Sequence, residues 1–558
     1  MAKPKIRGNA AFQVHSDEFA HIADPRERKA LELAAIDAQP FGWQHAKAVV
    51  IGGIGFFTDS YDIFAVNLTV AMLGIVFWDD GLIPEKADTA IKLATSVGTI
   101  FGQICFGILA DKIGRGKMYG SELMIIIAAT FIQSLASNSP GLDIVVVLVL
   151  WRVIMGIGIG GDYPLSSIIT SEYATTKWRG AMMGAVFAMQ GIGQFGAAIT
   201  TLIVTEIFES QTRDIPINKC DGSCKIAVDR MWRIIIGFGA IPACFALYYR
   251  LTCPETPRYT INMQAQDDIE AFKDVVTTPD TSEEEARSEV IIAQEARETA
   301  SFTDFRRHYR QWKNLQILLG TAGSWFFLDV AFYGLGLNNS VVLQAIGFRK
   351  ENTVYKRLHN NAVGNLIMIC AGSLPGYWVS VFTVDRIGRK KIQIAGFTIL
   401  SILFFVIGFA FHSLSSNALL ALYCLCQFFF NFGPNATTFI VPGEVFPTRY
   451  RSTSHGISAA SGKFGAVVAQ VLIGPLRVRG NPTPENPSPW LNWVMVIFGA
   501  FMACGIFTSF LIPETARRTL EEISDDPWGK KKKTGDVEKA ESGLRAAEND
   551  EDTNPRDI

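Results

Sequence analysis

The chain has 558 residues, of which 49% are hydrophobic and only 19% are Asp, Glu, Lys or Arg, whereas soluble chains usually carry about 25% charged residues. The net charge of −2 gives no sign of a nucleic acid or another charged macromolecule as a partner. Charges gather near both ends, in residues 254–313 and in short clusters between apolar runs. This pattern argues against a soluble globular protein and indicates a chain that crosses a bilayer many times.

Twelve apolar runs are long enough to cross a bilayer, for which a helix needs about 20 residues. They lie at 46–77, 89–110, 118–137, 143–170, 179–207, 231–251, 314–345, 360–383, 391–412, 417–441, 453–475 and 489–512. The runs are continuous rather than alternating, so strands are not expected. The sequence therefore predicts an all-α membrane protein with twelve transmembrane helices.

Lys and Arg gather in one set of the loops that connect these runs. The basic loops are 111–117, 177–179, 385–391 and 448–451, whereas 78–88, 137–143 and 481–489 carry little positive charge. Because positive loops stay in the cytoplasm, both termini and residues 252–313 are expected there, and loop 208–230 outside. Cys220 and Cys224 of that outer loop could form a disulfide, although free thiols are the usual expectation.

Three short motifs occur twice, in the same order. "LADKIGRGK" (109–117) resembles "TVDRIGRKK" (383–391), "SEYATTKWRG" (171–180) resembles "GEVFPTRYRS" (443–452), and "PETPRYT" (254–260) resembles "PETARRT" (513–519). The repeats imply two pseudo-symmetric six-helix halves with a substrate site between them near the middle of the membrane. The predicted organisation is a tail 1–45, a half 46–251, a partly helical cytoplasmic linker 252–313, a half 314–512 and a largely disordered tail 513–558.

The repeated motifs resemble those of the major facilitator superfamily. "FFTDSYDIF" (56–64), "GGDYPLSSIITSE" (160–172) and "WFFLDVAFYGLGLNNS" (325–340) are more specific and resemble the phosphate:proton symporters of fungi and plants, particularly the fungal high-affinity type. The resemblance covers about residues 45–520. It implies import of inorganic phosphate with protons by alternating access across the plasma membrane, with arsenate as a competitor. An enzyme, a metal site and a cofactor are not expected.

Acidic residues inside the membrane are costly and usually functional. Trp325, Asp329 and Tyr333 follow one another at intervals of four, so they share one helix face. Asp59 precedes Asp329 by 270 residues, close to the repeat distance, which predicts equivalent places in the two halves. A protonated Asp329 donates a hydrogen bond to phosphate, whereas an ionised one repels it by roughly 4 kcal/mol at ~4 Å and an effective dielectric near 20. Binding of the proton and of phosphate would then favour each other.

The candidate residues fall into three groups. The resemblance implies phosphate binding by Tyr163, Gln190, Trp325, Asp329, Tyr333 and Asn435, to which Lys463 adds a fixed positive charge. The acids Asp59, Asp62 and Asp162, with Arg152, are expected to carry or orient protons. A cytoplasmic gate is expected from Asp111, Arg115, Glu172, Arg179, Asp385, Arg389, Glu444 and Arg451.

Several alternatives stay open at this point. Asp62 could only bond a neighbouring helix, Arg152 could only orient acids, and Lys463 could extend to the membrane surface. The solute could be a glycerophosphodiester or a sugar, and the chain could act as a nutrient sensor. "GIGIGG" (156–161) looks like a dinucleotide-binding loop only superficially, because no strand precedes it.

Overall fold

The computed structural model of the chain describes residues 25–38, 40–253, 256, 258, 301–345, 353–477, 479 and 488–529. Within these ranges the chain is helical, and only isolated β-bridges occur, without a strand. Most of the predicted linker and of both predicted tails, including the four lysines at 530–533, lies outside the described residues.

Twelve helices or helix pairs follow the predicted apolar runs in order, and we number them membrane helices 1 to 12. They are Trp43–Phe77, Glu85–Ile113, Ser121–Ser134, Ile144–Tyr173, Arg179–Ile207, Ser223–Phe238 with Ala240–Leu251, Trp312–Gly336, Val354–Met368 with Leu374–Ile387, Arg389–Ala410, Ser416–Asn431 with Pro434–Val445, Arg451–Arg477 and Leu491–Phe510. Ten of them are long and apolar enough to cross a membrane by composition alone. Helix 3 is short, and helix 11 has a polar first half rich in Ser and Gly. The predicted twelve-helix all-α architecture is confirmed.

Shorter helices lie at the ends of the bundle. The longer ones are Pro25–Ala38, Phe302–Tyr309, Asn339–Ala345 and Leu520–Asp525, and single turns occupy Arg115–Met118, Glu209–Thr212, Ile217–Lys219 and Thr448–Tyr450. Leu33 and Ile36 of the N-terminal helix are buried. Tyr309 packs in a small apolar cluster with residues of membrane helices 7 and 10 and with Ile512, which follows helix 12. These end helices therefore dock on the membrane bundle.

Three membrane helices are interrupted. Helix 6 breaks at Gly239, where a side chain would meet the carboxyl group of Asp62. Helix 8 contains a π-helical turn at Ile369–Ser373, and helix 10 breaks before Pro434. Helix 4, in contrast, runs unbroken through Pro164.

The glycines of residues 156–161 bring helices 2 and 4 together. A Cβ at Gly156 would stand 3.1 Å from the Cα of Gly98, and one at Gly160 would stand 2.9 Å from the Cα of Gly102. Small residues on both helices allow the backbones to approach this closely. The stretch that looks like a nucleotide-binding loop is therefore a helix-packing motif.

Cys220 and Cys224 form a disulfide between helices 5 and 6. The usual expectation of free thiols is therefore wrong for this pair, while the other seven cysteines are free. The two residues flank the turn at Asp221 and Gly222, which brings their side chains together.

Candidate functional site

A buried lysine lies at the centre of the bundle. The Nζ atom of Lys463 is 3.0 Å from Oδ2 of Asp329 and donates a 2.9 Å hydrogen bond to the hydroxyl of Tyr333. The ammonium group also lies over two aromatic rings, 4.1 Å from the centroid of Tyr333 and 4.9 Å from that of Tyr163. A buried charge requires such an opposite charge and polar neighbours. Lys463 therefore points into the protein and does not extend to the membrane surface.

Polar groups continue this network from Tyr333 across the boundary between the halves. The hydroxyls of Tyr163 and Tyr333 are 3.5 Å apart, and the side-chain amide of Gln190 donates to Tyr163 at 2.8 Å. Tyr377 donates to the Gln190 carbonyl at 3.2 Å and accepts from Asn435 at 3.0 Å. Six of the seven residues predicted to bind phosphate thus form one chain of polar contacts. Tyr377, which the sequence reasoning missed, links Asn435 to Gln190 and thus to the rest of these contacts.

Trp325, the seventh predicted residue, forms a wall of the site. Its ring centroid is 6.4 Å from that of Tyr163 and 5.5 Å from that of His455. Gly462 makes room for it, because a Cβ there would stand 2.5 Å from Cδ1 of Trp325 and 2.9 Å from Oδ2 of Asp329. The indole therefore confines the volume beside the Lys463–Asp329 pair.

The central site combines one cation, one acid and several neutral donors and acceptors. Phenols and amides can both donate and accept hydrogen bonds, and the ammonium supplies charge. A partly protonated oxyanion needs all three kinds of partner. The site is chemically suited to a small, hydrogen-bonding anion.

A second buried cluster lies in the first half around an arginine that the sequence reasoning also missed. Arg250 is 2.8 Å from Oδ1 of Asp162 and 2.9 Å from Oε1 of Glu122, and it donates to the Gly52 carbonyl at 3.1 Å. Its guanidinium lies 4.5 Å from the ring centroid of Tyr119. One cation thus serves two buried carboxyl groups.

Asp59 lies beside this cluster. Its carboxyl group is buried and has no hydrogen-bond partner among the described residues, and its charged neighbours include Asp162 and Arg250. One turn earlier, a side chain at Gly55 would collide with both of those residues. The structure therefore brings Asp59 and Asp162 together.

Asp62 and Arg152 form a separate pair of neighbours. Oδ2 of Asp62 accepts a 2.9 Å hydrogen bond from Thr130, while Nε of Arg152 donates to the Ile91 carbonyl at 2.9 Å. The two charges lie within electrostatic range of each other. Asp62 thus bonds a neighbouring helix, which was the alternative left open for it.

A comparison of the two halves could have pointed to Arg250. Arg250 stands four residues before the first "PET" motif and Ser509 stands four residues before the second. Ser509 accepts a 2.9 Å hydrogen bond from Gln393, so a neutral pair occupies the place of the charged cluster. The arginine cluster of the first half therefore has no charged counterpart at the equivalent place of the second half.

Residues predicted for a gate join the halves at the end of the bundle that carries the basic loops. Nε of Arg179 is 2.9 Å from Oε1 of Glu444, and Nη1 of Arg451 is 3.3 Å from Oε1 of Glu172. Both pairs run from one half to the other and are fully buried. They are related by the repeat, since 444 − 172 and 451 − 179 are both 272.

The other four predicted gate residues make equivalent contacts in each half. Asp111 pairs with Arg115 at 3.3 Å, and Asp385 pairs with Arg389 at 2.7 Å. Each aspartate also accepts backbone N–H groups at the start of a helix of the opposite half: Asp111 from Ser452 and Thr453, and Asp385 from Gly180 and Ala181. All eight predicted gate residues therefore meet in one layer.

The "PET" threonines complete this layer. Thr256 donates to Glu172 and Thr515 donates to Glu444, each at 2.5 Å. The repeated motif thus places one hydroxyl on each buried glutamate.

The comparisons with known proteins agree with this arrangement. The sugar (and other) transporter family matches residues 48–526. Over 534 residues the chain is 57% identical to a repressible high-affinity phosphate permease of Neurospora crassa, with 93% of each chain covered. Over 532 residues it is 54% identical to an inorganic phosphate transporter of Saccharomyces cerevisiae, with 93% of this chain and 90% of the relative covered. The chain belongs to the fungal phosphate permease family of the major facilitator superfamily.

Solved structures support the fold of this permease. A proton:xylose symporter superimposes with a TM-score of 0.65 at 19% identity, covering 87% of this chain and 99% of the symporter. An inward-open xylose transporter of E. coli superimposes with a TM-score of 0.55 at 20% identity, covering 86% and 99%. At this identity the likeness extends to the fold alone.

Proposed function

We propose that this permease imports inorganic phosphate together with protons by alternating access across the plasma membrane. The observation that carries the proposal is the buried Lys463–Asp329 pair within a shell of phenols and amides. Relatives that match nearly the whole chain at more than half identity are named as phosphate transporters, which supports this choice of solute.

The Lys463–Asp329 pair supplies a coupling mechanism. While Asp329 is ionised, it neutralises Lys463 and repels an anion. When a proton neutralises Asp329, the ion pair is lost, and Lys463 becomes available to phosphate while the carboxylic acid donates a hydrogen bond. At ~4 Å and an effective dielectric near 20, the repulsion removed is about 4 kcal/mol, or about three decades in affinity. Phosphate and the proton therefore bind together.

We assign the remaining phosphate contacts to Tyr163, Gln190, Tyr333 and Asn435, with Trp325 as the wall. In the described conformation these groups bond one another, so phosphate has to replace those bonds rather than enter an unbonded cavity. Such replacement disfavours apolar or poorly hydrogen-bonding solutes, because buried polar groups would lose their partners.

We assign proton entry to the cluster in the first half. Asp59 has no hydrogen-bond partner among the residues that the structure describes, and Asp162 shares Arg250 with Glu122. A proton on Asp59 or Asp162 weakens the interaction with Arg250, so the charge state of this cluster controls how tightly helices 1, 4 and 6 associate. Asp62 and Arg152 take a positioning role in this scheme.

Alternating access requires closure on either side of the central site. The pairs Arg179–Glu444 and Glu172–Arg451 close the end with the basic loops, which we assign to the cytoplasm. At the other end Lys92 donates to Asn338 at 3.1 Å, and Ser340 donates to Asn67 at 3.1 Å. Contacts between the halves 46–251 and 314–512 thus occur on both sides of the site, as in an occluded state. Both termini are then cytoplasmic.

The proposal is tested by uptake of labelled phosphate into proteoliposomes with and without an inward proton gradient. We expect gradient-driven uptake of phosphate by the native protein. Arsenate should compete with phosphate, whereas xylose should not. Asp329→Asn should uncouple phosphate movement from the proton gradient, because the asparagine side chain cannot bind and release a proton as the carboxyl group does.

Asp229→Asn is the matched control, because Asp229 is a partly exposed acid paired with Arg233 outside the site. This variant should transport as the native protein does. Absence of phosphate uptake by the native protein under any gradient would contradict the proposed function, and equal coupling in Asp329→Asn would contradict the role of Asp329.

A further inference from the structure

Two buried polar side chains between the central site and the cytoplasmic gate have no role in the mechanism above. Ser167 and His455 are both 0% exposed. Among the described residues, the hydroxyl of Ser167 has no hydrogen-bond partner, and the ring nitrogens of His455 have only the nearby Phe439 backbone, which lies outside full hydrogen-bonding geometry. Leaving a buried polar group without a well-formed hydrogen bond is costly, so two such groups between the central site and the gate residues require an explanation.

Both residues lie on the way from the central site to the gate. On helix 4, Ser167 follows Tyr163 by one turn and precedes Glu172 of the gate. On helix 11, His455 lies eight residues before Lys463, about 12 Å along the helix axis, and four residues after Arg451 of the gate. In both halves, the unpaired polar group therefore lies between the central site and the gate residues.

An aromatic cluster lies beside His455. The ring of Phe439 is 5.6 Å from that of His455, and it stacks on Phe187 at 4.5 Å and contacts Phe56 at 5.1 Å. Ser167 faces the same helix, because a Cβ at Gly443, one turn after Phe439, would stand 2.6 Å from its Oγ atom. Displacement of the Phe439 ring would therefore open a common space to both polar groups.

The repeat shows that this layer departs from symmetry. Ser167 corresponds to Phe439, since 439 − 167 = 272, and Met183 corresponds to His455, since 455 − 183 = 272. Each half thus contributes one polar and one apolar residue, at exchanged positions. Apolar residues at all four positions would fill this layer without unpaired polar groups. The two polar residues therefore have a binding role in a conformation other than the closed state.

We propose that Ser167 and His455 form a second phosphate site on the cytoplasmic side of the central site, which becomes accessible when Phe439 moves aside. The inference rests on the proposed phosphate transport and extends it to the release step. A hydroxyl and an imidazole offer both donors and acceptors, which a protonated phosphate requires. Phosphate that leaves Lys463 binds these two groups before it reaches the gate residues. It therefore has hydrogen-bond partners while it passes the apolar layer.

The test compares the two sides of the membrane in vesicles sorted for one orientation. The half-saturating phosphate concentration for exchange is measured from each side. We expect His455→Phe to raise the cytoplasmic-side value about tenfold and to leave the extracellular-side value within about twofold. His455→Gln, which keeps hydrogen-bonding groups, should recover most of the loss, and Ser167→Ala should raise the cytoplasmic value about threefold.

Met183→Leu is the matched control, because Met183 is buried at the same depth but offers no hydrogen-bond donor. It should leave both values unchanged. An equal rise on both sides in His455→Phe, or no change on either side in both His455→Phe and Ser167→Ala, overturns the second site. Native protein that exchanges no phosphate from either side would instead overturn the proposed function.

Discussion

Replacement of Arg179 by Gln tests the proposed cytoplasmic gate directly. Arg179 is completely buried, contacts Glu444 of the other half at 2.9 Å and donates to the Arg518 carbonyl at 2.6 Å. A hydrogen bond to a charged group contributes about 1.5–3 kcal/mol. Loss of the Glu444 contact alone therefore shifts the equilibrium toward the cytoplasm-open state by about 10- to 150-fold. Glu444 still forms its ion pair with Arg389 at 2.8 Å. The variant therefore leaves no unpaired carboxylate at Glu444 and should fold.

Alkylation of a reporter cysteine measures this shift. Met183 is completely buried between the halves beside Gly443, so Met183→Cys reacts with a maleimide only when the gate opens. In a background without the seven free cysteines, we expect Arg179→Gln to accelerate labelling of this reporter at least tenfold. Phosphate uptake should fall at the same time, because the outward-facing state becomes rare.

Arg213→Gln is the control for this experiment. Arg213 pairs with Glu209 at 3.2 Å within one exposed turn, and exposed pairs contribute about 0–1 kcal/mol. Labelling should then equal that of the parent. Unchanged labelling in Arg179→Gln, or an equal increase in Arg213→Gln, would refute the assignment of Arg179 to the gate.

Three further changes test the buried charges and the disulfide. Lys463→Met leaves Asp329 without its partner and should lower the free energy of unfolding by about 3–5 kcal/mol. The double variant with Asp329→Asn should recover most of this loss. Equal melting temperatures in detergent for the single and double variants would contradict the pairing. Arg250→Met leaves two buried carboxyl groups without their common cation, so a loss of similar size and abolished uptake are expected, and native-like melting would argue against the cluster. Replacing Cys220 and Cys224 by Ser should lower the free energy of unfolding by about 2 kcal/mol or less, because the loop that the disulfide closes is only a few residues long. Phosphate uptake should change less than twofold. Loss of uptake would show that the disulfide has a functional role.

The twelve membrane helices could be predicted from the sequence because a bilayer demands long continuous apolar runs. The gate residues could be predicted as a set because their motifs occur twice at the same spacing. The partners could not be assigned in this way. Spacing alone would pair Glu172 with Arg179 in the same half, whereas the structure pairs Arg179 with Glu444 and Glu172 with Arg451 across the halves.

Tyr377 was missed because a single tyrosine in an apolar run gives no periodic signal. Arg250 was missed because an arginine at the end of a membrane helix looks like a residue of the cytoplasmic membrane surface. Only helix packing shows that its guanidinium points inward to Asp162 and Glu122. Free thiols at Cys220 and Cys224 were the default expectation because composition does not report the conformation of a four-residue turn.

The sequence by itself determined the number of helices, the two halves, the family and most of the polar residues near the middle of the membrane. These features depend on local composition and on repeats, which a linear chain displays directly. The tertiary structure decided which charges neutralise one another, and it showed that the buried side chains of Ser167 and His455 make no well-formed hydrogen bond with the described residues. Those properties depend on which faces of separate helices meet, and residues more than 340 positions apart in the chain, such as Asp111 and Thr453 (453 − 111 = 342), supply some of the contacts.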